Sequence, residues 1–313
     1  MHTVQLSNDE CKLSFLNYGA RIIDWQVNLG SAWRPIVLHY PKLDDYINDR
    51  FYLGAICGPY ANRIANGVVD TQCSKMFKFS CNDGVHHLHG GFNGLHKHYW
   101  DVFEQTANSV TFVYLHPDGT DGYAGPMSFK ACYTLIEKSL TLTLTCQSKS
   151  LSIIGPTGHA YFNLNGVNTA LSGLAQYLQS DAEWLTPLNN QGLPVGSELQ
   201  VSDSELNFQQ ARLLTSGSQL DKLDNNFVFS EKKNRSILID AEDQLCLSVS
   251  SDYPAVQLYS GRFLDQPFKS NQAVCIEPHY GADAPNRVNR FDYLIKPGEV
   301  WRKTINYQLR LLK

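Results

Sequence analysis

The sequence predicts an all-β protein built as a large antiparallel β-sandwich with few short helices. Residues 140–146 alternate apolar side chains with polar threonines, which is the period of a strand that has one buried face. Similar runs recur between turn-forming residues, and strands do not alternate with long helical patterns. Because no repeat or linker divides the chain, and sandwiches often exceed about 200 residues as one unit, we predict a single domain over residues 1–313.

The individual elements follow from the same patterns. Two N-terminal strands flank a turn at residues 17–20, and a short helix is predicted to begin within residues 41–46. Residues 170–178 place apolar side chains at helical spacing, but Gly173 interrupts them and no cap precedes them, so a strand is predicted. Together with the two N-terminal strands, residues 12–16 and 21–27, the predicted strands are residues 110–115, 129–136, 140–146, 236–239, 245–249, 255–259 and 304–311.

The composition argues against several classes of partner. The net charge is -4 and no basic run is present, which disfavours nucleic acids and anionic membranes. No window approaches the roughly 18 apolar residues of a membrane span, and Asp9, Glu10 and Lys12 interrupt the region where a signal peptide has its apolar core. We therefore expect a cytoplasmic protein, either a monomer or a homodimer, that binds a small uncharged molecule.

Eight cysteines are scattered along the chain without a Cys-x-x-Cys pair. A chain of 313 residues buries a large core and does not need disulfide bonds for its stability. We interpret the cysteines as reduced, buried thiols rather than as disulfides or zinc ligands, and we place Cys246 and Cys275 in the core because they lie inside apolar runs.

Glu277 is the carboxylate with the most distinctive sequence setting. The β-prone run 273–276 leads directly to it, and Pro278 and Pro285 follow. Because proline donates no ladder hydrogen bond, we expect Glu277 at a strand end, where side chains on a rigid scaffold often carry chemistry. The residue is then either a catalytic base or a solvated surface acid.

Residues 86–89 include three histidines, and the glycines at 90–91 let a ligand approach the backbone closely. A cupin-like metal site needs a glutamate within a few residues of such a His-x-His pair, whereas the next acids are Asp101 and Glu104. This spacing argues against a metal. Surface histidines and a sugar-binding or catalytic imidazole are the remaining alternatives.

Four further segments embed polar groups in apolar or aromatic surroundings. They contain Asn62 with Arg63, His159 with Tyr161, Asp224, and Gln257. Taken singly, each group has an ordinary structural explanation. His159 would be a core histidine with satisfied hydrogen bonds, Asp224 a turn former and Arg63 a member of a surface ion pair.

Taken together and in this order, the motifs resemble the aldose 1-epimerase family, the galactose mutarotases, over nearly the whole chain. The matching segments are residues 16–20, 58–64, 88–91, 118–125, 159–164, 223–228, 256–264, 276–278 and 283–286. The resemblance implies a large antiparallel β-sandwich with a sugar cleft on one face, in agreement with the strand pattern. The implied roles are general base for Glu277, general acid for His159, and sugar contacts for His89, Arg63, Asp224, Asn62, Gln257 and Tyr161.

The implied reaction interconverts the α and β anomers of free hexoses such as galactose and glucose. The C1 hydroxyl loses its proton while the ring oxygen gains one, so that the ring opens, rotates about the C1–C2 bond and recloses on the other face. A carboxylate with a pKa of about 4.3 and an imidazole with a pKa of about 6.5 suit these steps, and partial burial would raise the basicity of Glu277. The resemblance implies no cofactor, because neither redox nor phosphate chemistry takes part.

The chain departs from the family pattern at Pro59, where Arg is common, at Ala124, where Pro is usual, at Gly158, where Asn is usual, and at Asn225, where His is frequent. These changes bear on substrate preference and on support of the acid and base. Three alternatives stay open. The chain could be a non-catalytic sugar-binding protein, a sugar-phosphate epimerase relative with Arg63 as its one clearly placed phosphate partner, or a glycoside hydrolase that uses Glu277 and Asp224 as its carboxylate pair.

Overall fold

The computed structural model describes residues 1–71, 75–230, 234–240, 242, 245–287 and 293–312. Strands dominate these residues and assemble into three larger sheets, so the predicted all-β sandwich is confirmed. The largest sheet has nine strands in antiparallel pairs. In spatial order its strands are Asp101–Gln105, Ser109–His116, Met127–Ile136, Ser139–Ser148, Val300–Leu311, Leu245–Ser251, Arg235–Ile239, Tyr177–Ser180 and Arg212–Leu213.

The second sheet has six strands and the third has four. The six-stranded sheet runs Tyr161–Phe162, Val274–His279, Ala255–Tyr259, Asp224–Val228, Trp184–Leu185 and Leu199–Gln200. The four-stranded sheet runs Thr3–Ser7, Cys11–Leu16, Arg21–Asn28 and Trp33–Pro35.

Short two-stranded ladders and single helical turns complete the described structure. The ladders join Ile56–Cys57 to Thr157–Gly158, Arg63–Ile64 to His87–Leu88, Val68–Thr71 to Lys75–Lys78, and Ser152–Ile153 to Leu294–Ile295. The 3-10 helices are Leu43–Asn48, Ala65–Gly67, Leu95–Lys97, Thr120–Gly122, Val201–Asp203, Gln219–Lys222 and Ala284–Asn286. The predicted helix start within residues 41–46 is thus confirmed as a 3-10 turn.

The strand predicted from threonine alternation shows how the core forms. In Ser139–Ser148, Leu140 and Leu142 are fully buried while the intervening threonines are only half-buried. This strand pairs antiparallel with Met127–Ile136, as the sequence predicts. The buried faces of all the larger sheets contribute to one core cluster, whose members range from Val4 to Leu309. The nine strands predicted between residues 12–16 and 304–311 are confirmed.

The prediction that Glu277 ends a strand is wrong, because the strand Val274–His279 runs through it. The ladder continues to the pair between Ala255 and His279. The N and O atoms of one residue point to the same side of a strand. Pro278 O accepts from the Thr157 hydroxyl on the side away from Ala255–Tyr259, so Pro278 N also points away from that neighbouring strand, and proline is tolerated here. No ladder donor is therefore missing.

The strand predicted over residues 170–178 is wrong for most of its length, since the strand begins only at Tyr177. The side-chain amide of Gln176 supplies hydrogen bonds in place of strand pairing. It donates to Gly173 O at 2.7 Å and accepts from Leu164 N at 2.7 Å. Gly173 lies so close to the neighbouring backbone that an added Cβ would be 2.7 Å from Ala273. Side-chain hydrogen bonds, which sequence periodicity does not report, shape this segment.

Seven cysteines are free among the described residues, and five of them are buried, including Cys246 and Cys275. Cys81 is exposed and Cys132 is half-buried, so the prediction of burial does not hold for these two. Cys73 lies outside the described residues. Within the part of the chain that is described, we find no helix with the length and apolar character needed to cross a membrane.

Candidate active site

One face of the six-stranded sheet carries polar residues that the sequence singled out. In the antiparallel register Asn226 lies opposite Gln257, and Gln257 lies opposite Glu277. Opposite residues project from the same face, as do residues two apart along a strand, so Asp224 belongs to the same row. Asp224, Gln257 and Glu277 line a cavity of about 160 Å³. All eight predicted site residues line it: Asn62, Arg63, His89, His159, Tyr161, Asp224, Gln257 and Glu277.

Glu277 and His159 form a buried pair in this cavity. His159 Nε2 lies 3.3 Å from Glu277 Oε2, and each side chain is only 6% exposed, so the interpretation of Glu277 as a solvated surface acid is wrong. Burial, aided by the negative charge of Asp224, raises the pKa of Glu277 well above its usual value. Burial lowers the pKa of His159 to about 4. Both shifts therefore favour the uncharged forms of the two side chains, the carboxylic acid of Glu277 and the neutral imidazole of His159.

Backbone pairing fixes the position of His159. The preceding strand Thr157–Gly158 pairs with Ile56–Cys57. His159 N then donates to Ala55 O at 2.9 Å, and Gly54 N donates to His159 O at 3.0 Å. The imidazole consequently enters the cavity from a backbone that is hydrogen-bonded on both sides of its Cα.

Cys275 contacts the other ring nitrogen of His159, with Sγ 3.7 Å from Nδ1. The order thiol, imidazole, carboxylate is that of a cysteine nucleophile site. Here the thiol does not line the cavity, and burial raises the pKa of Cys275 well above its usual value. Cys275 therefore packs behind His159 and is not placed to attack a ligand.

His89 enters the cavity from a backbone with φ of +49°, directly before Gly90. An added Cβ on Gly90 would lie 1.8 Å from Gly58 O, so only glycine fits there. Asn62 N donates to His89 Nδ1 at 3.3 Å, which leaves the proton of the neutral ring on Nε2. Burial lowers the pKa of His89 well below its usual value, so the ring is neutral and acts as an Nε2–H donor.

A chain of hydrogen bonds orients the other polar side chains. Gln257 Nε2 donates to Asp224 Oδ1 at 2.8 Å, and Asn62 Nδ2 donates to Gln257 Oε1 at 3.2 Å. Asn62 Oδ1 accepts from Arg63 N at 2.7 Å. The Arg63 side chain forms the predicted ion pair, with Asp83 as its partner at 2.7 Å. These contacts fix which amide atoms are donors and which are acceptors before a ligand binds.

Tyr161 contributes its ring rather than its hydroxyl. The hydroxyl donates to Phe51 O at 3.0 Å, and the ring centroid lies 5.1 Å from that of His159. The side chain is 2% exposed. The contact with Phe51 ties the wall of the cavity to the loop that follows Asn48.

The cavity therefore combines a buried acid–base pair with neutral donors and oriented amides, a set suited to a small molecule rich in hydroxyl groups. The sequence model described as aldose 1-epimerase matches residues 2–308. The chain belongs to the aldose 1-epimerase family.

Relatives of known name in this isomerase family match nearly the whole chain. Galactose mutarotase of Sus scrofa is 28% identical, with 96% of this chain and 91% of that protein covered. Aldose 1-epimerase of Haemophilus influenzae is 28% identical, with 90% and 87% covered. The crystal structure of an aldose epimerase homologue from C. elegans matches with a TM-score of 0.92 at 25% identity, covering 100% of this chain and 99% of that one. The chain is thus an isomerase of the aldose 1-epimerase family.

One departure from the family pattern has a packing explanation. A Cβ on Gly158 would lie 3.2 Å from the Tyr307 hydroxyl and 3.3 Å from the Leu142 side chain. Both contacts are tighter than ordinary van der Waals distances, so the glycine suits the large neighbours that this chain has at those positions. Asn225 lies outside the cavity lining, where its Oδ1 accepts from Asp224 N at 3.2 Å.

Several cavity residues were not found by the motif analysis, among them Tyr52 and Phe263. Tyr52 follows a helical turn in a stretch without periodicity, and nothing in the local sequence indicates a ligand-facing ring. Phe263 lies within the 256–264 motif, and its side chain is 64% exposed. Its place within that motif was the signal available in the sequence, whereas its exposure beside a polar cavity is visible only in the structure.

A larger opening adjoins the cavity, which we call the vestibule. It has a volume of about 880 Å³ and shares Arg63, Asp224 and Phe263 with the cavity. It also includes Lys222 and Arg262. The cationic groups near the site thus exceed the single arginine that the sequence identified. Two of these cations lie near carboxylates: Arg63 beside Asp83 and, at 3.8 Å, Arg262 beside Asp224.

Three buried side chains have the composition of a metal site. His89, His159 and Glu277 each place a ligand atom within 4.8 Å of the others, and two histidines with one glutamate form a known catalytic zinc set. The hydrogen bond from Asn62 N to His89 Nδ1 opposes metal binding, because a metal on Nε2 requires the proton to be on Nδ1. The arrangement therefore suits proton transfer better than metal coordination.

Proposed function

We propose that the chain is an aldose 1-epimerase that interconverts the α and β anomers of free hexoses such as galactose and glucose. The buried Glu277–His159 pair carries the proposal, because a carboxyl and an imidazole 3.3 Å apart supply both proton transfers of the reaction. The names of the relatives, galactose mutarotase and aldose 1-epimerase, support the same reaction.

In the proposed mechanism the pair carries one proton, which lies on His159 when the reaction begins. Glu277 then removes the proton of the C1 hydroxyl while His159 protonates the ring oxygen. The bond between C1 and the ring oxygen breaks and an aldehyde forms. Rotation about the C1–C2 bond and reversal of both proton transfers close the ring on the other face. Each half-reaction conserves one proton on the pair.

The remaining cavity residues would hold the sugar. The Nε2–H of His89 donates, and the amides of Asn62 and Gln257 offer groups whose orientation is already fixed. Such preorganisation lowers the entropy that binding costs. Asp224 and Arg63 lie where the cavity meets the vestibule, and there they would bind hydroxyls remote from the reacting carbon.

Polarimetry on freshly dissolved α-galactose and α-glucose tests the function. The protein should accelerate equilibration, and Glu277→Gln and His159→Asn should each reduce the protein-dependent rate by about 10²- to 10⁴-fold. Glu299→Gln is a matched control, because Glu299 is exposed and pairs only with Lys296 in the described structure. Equilibration no faster than in buffer, with folded protein, would contradict the proposal. Loss of activity on chelation would instead favour the metal interpretation.

A sugar-phosphate epimerase is the second candidate, because Lys222 and Arg262 join Arg63 around the vestibule. Comparing free hexoses with their 6-phosphates in the same assay separates the two. A non-catalytic sugar-binding protein would bind sugar without any rate gain, and Glu277→Gln would then leave equilibration unaffected. A glycoside hydrolase would release reducing sugar from a glycoside.

A further inference from the structure

We propose that Tyr52 is a positioning residue of this site, whose ring holds the imidazoles of His89 and His159 in the orientation that proton transfer requires. Kinetically the inference rests on the proposed function, in which both imidazoles contact the sugar. Structurally it rests on the contacts of one aromatic ring that the acid–base mechanism itself does not use.

The Tyr52 ring packs against three histidines, among them both imidazoles of the site. Its centroid is 4.6 Å from that of His89, 5.7 Å from that of His159 and 4.7 Å from that of His96. The two site imidazoles are themselves 5.4 Å apart. All these separations lie within the range for aromatic pairs in contact. Removing the ring would leave space into which both imidazoles could rotate.

The backbone of Tyr52 is held in an unfavourable conformation. Its φ is +57°, in the left-handed region that bulky side chains rarely adopt. Asp49 accepts hydrogen bonds from the flanking amides, Phe51 N at 3.0 Å and Leu53 N at 2.8 Å. Arg21 donates to Leu53 O at 2.9 Å and forms a buried ion pair with Asp49. The surrounding structure thus imposes this conformation, which is the pattern of strain kept at a functional site.

The same loop anchors the backbone of His159. Gly54 and Ala55, which follow the Tyr52 turn, make the two backbone hydrogen bonds to His159. A Cβ on Gly54 would lie 2.0 Å from Ile22 O, so the loop is pressed against the strand Arg21–Asn28. One rigid loop therefore fixes both the main chain of His159 and the ring that packs against its imidazole.

The Tyr52 hydroxyl has no hydrogen-bond partner among the residues that the structure describes. Burial raises the pKa of Tyr52, so the hydroxyl stays protonated. The contacts on which positioning depends are made by the ring. Phenylalanine should therefore replace tyrosine at this position, whereas leucine should not.

The kinetic test compares Tyr52→Phe with Tyr52→Leu in the polarimetric assay. Tyr52→Phe should keep the wild-type kcat, whereas Tyr52→Leu should lower kcat by about 10²-fold, the loss expected when catalytic groups are displaced by about 1 Å, with KM less affected. Tyr99→Leu is a matched control, because Tyr99 is an exposed tyrosine that contacts Tyr18 outside the cavity. If Tyr52→Leu folds poorly, Tyr52→Gly removes the ring and accepts the positive φ without strain.

The structural test is NMR of ¹⁵N-labelled histidine side chains, which needs no activity. The wild type should show His89 and His159 as neutral rings in fixed tautomers, and Tyr52→Leu or Tyr52→Gly should show altered tautomers or exchange broadening. Unchanged histidine signals in both ring-deleted variants would overturn the proposal. So would a change in KM alone, which indicates a sugar platform, or equal damage by Tyr52→Phe, which indicates direct use of the hydroxyl. If the wild type lacks epimerase activity, the proposed function fails while the NMR comparison still decides the role of Tyr52.

Discussion

The pKa values of Glu277 and His159 are shifted in opposite directions because both side chains are almost completely excluded from water. Their residue types and their order were visible in the sequence, and the family resemblance gave them roles. Their burial was not visible, since a glutamate before a proline reads equally well as a surface acid. Desolvation and the nearby charge of Asp224 raise the pKa of Glu277, and desolvation lowers the pKa of His159, so both directions depend on neighbours that only the folded chain provides.

Asp224 offers a residue-scale prediction about the pH profile. Its negative charge helps to hold the proton on Glu277, so Asp224→Asn should lower the pKa of Glu277. In the proposed mechanism the active pair carries one proton, so activity should be lost at high pH when that proton leaves. The alkaline limb of the profile of kcat/KM against pH should therefore move to lower pH in Asp224→Asn. Asp101→Asn, on an exposed edge strand, should leave the limb in place. A limb that stays or moves upward in Asp224→Asn would contradict this assignment.

At the scale of elements, strands whose alternation reflects burial were predictable and segments shaped by side-chain hydrogen bonds were not. Ser139–Ser148 shows the alternation directly, whereas residues 170–176 are organised around the buried amide of Gln176. The predicted strand ended at Glu277, whereas the observed strand Val274–His279 continues. The side to which the Pro278 carbonyl points depends on Thr157, which is distant in sequence, so the local sequence could not show it. The loop of residues 49–55 was missed for the same reason, since its anchor is Arg21.

The ion pair between Arg21 and Asp49 should be a principal anchor of that loop. The Arg21 side chain also donates to Tyr18 O and His96 O, both at 3.0 Å, and both members of the pair are fully buried. Asp49→Asn leaves the arginine charge without its partner, and we expect a loss of about 3–5 kcal/mol in the free energy of unfolding. Asp265→Asn breaks the exposed pair with Arg50 and should cost less than about 1 kcal/mol. Urea unfolding measures both changes, and equal losses would refute the anchoring role.

At the scale of the whole molecule, the cavity is assembled from segments far apart in sequence. Asn62 and His89 flank the two strands of one short ladder, whereas His159 follows a strand of a second ladder and Glu277 lies in the six-stranded sheet. Only the fold brings these residues together. Motif order indicated that these residues belong to one site, because the family resemblance spans the chain. The sequence could not show which atoms face one another. The fixed tautomer of His89, for example, follows from a contact between residues 27 positions apart.

Burial of many histidines predicts a loss of stability in mild acid. Burial lowers the pKa of six histidines below the usual value of about 6.5, to about 4 for His116 and about 3 for His279. The unfolded chain therefore binds more protons than the folded protein below pH about 6.5, and each such group lowers the free energy of unfolding by about 1.4 kcal/mol per pH unit. Glu277 and Asp283, whose pKa values are raised, act in the opposite direction but are fewer.

Urea unfolding between pH 7 and pH 5 should accordingly show a free energy of unfolding that falls with falling pH. His279→Gln should reduce this slope by up to one proton, because it removes a histidine that titrates only in the unfolded chain over this range. Thr157→Val is the matched control: it removes a buried hydrogen bond, to Pro278 O, without removing a titratable group, so it should lower stability equally at every pH. A slope that is flat in the wild type, or unchanged in His279→Gln, would show that the buried histidines bind protons in the folded protein.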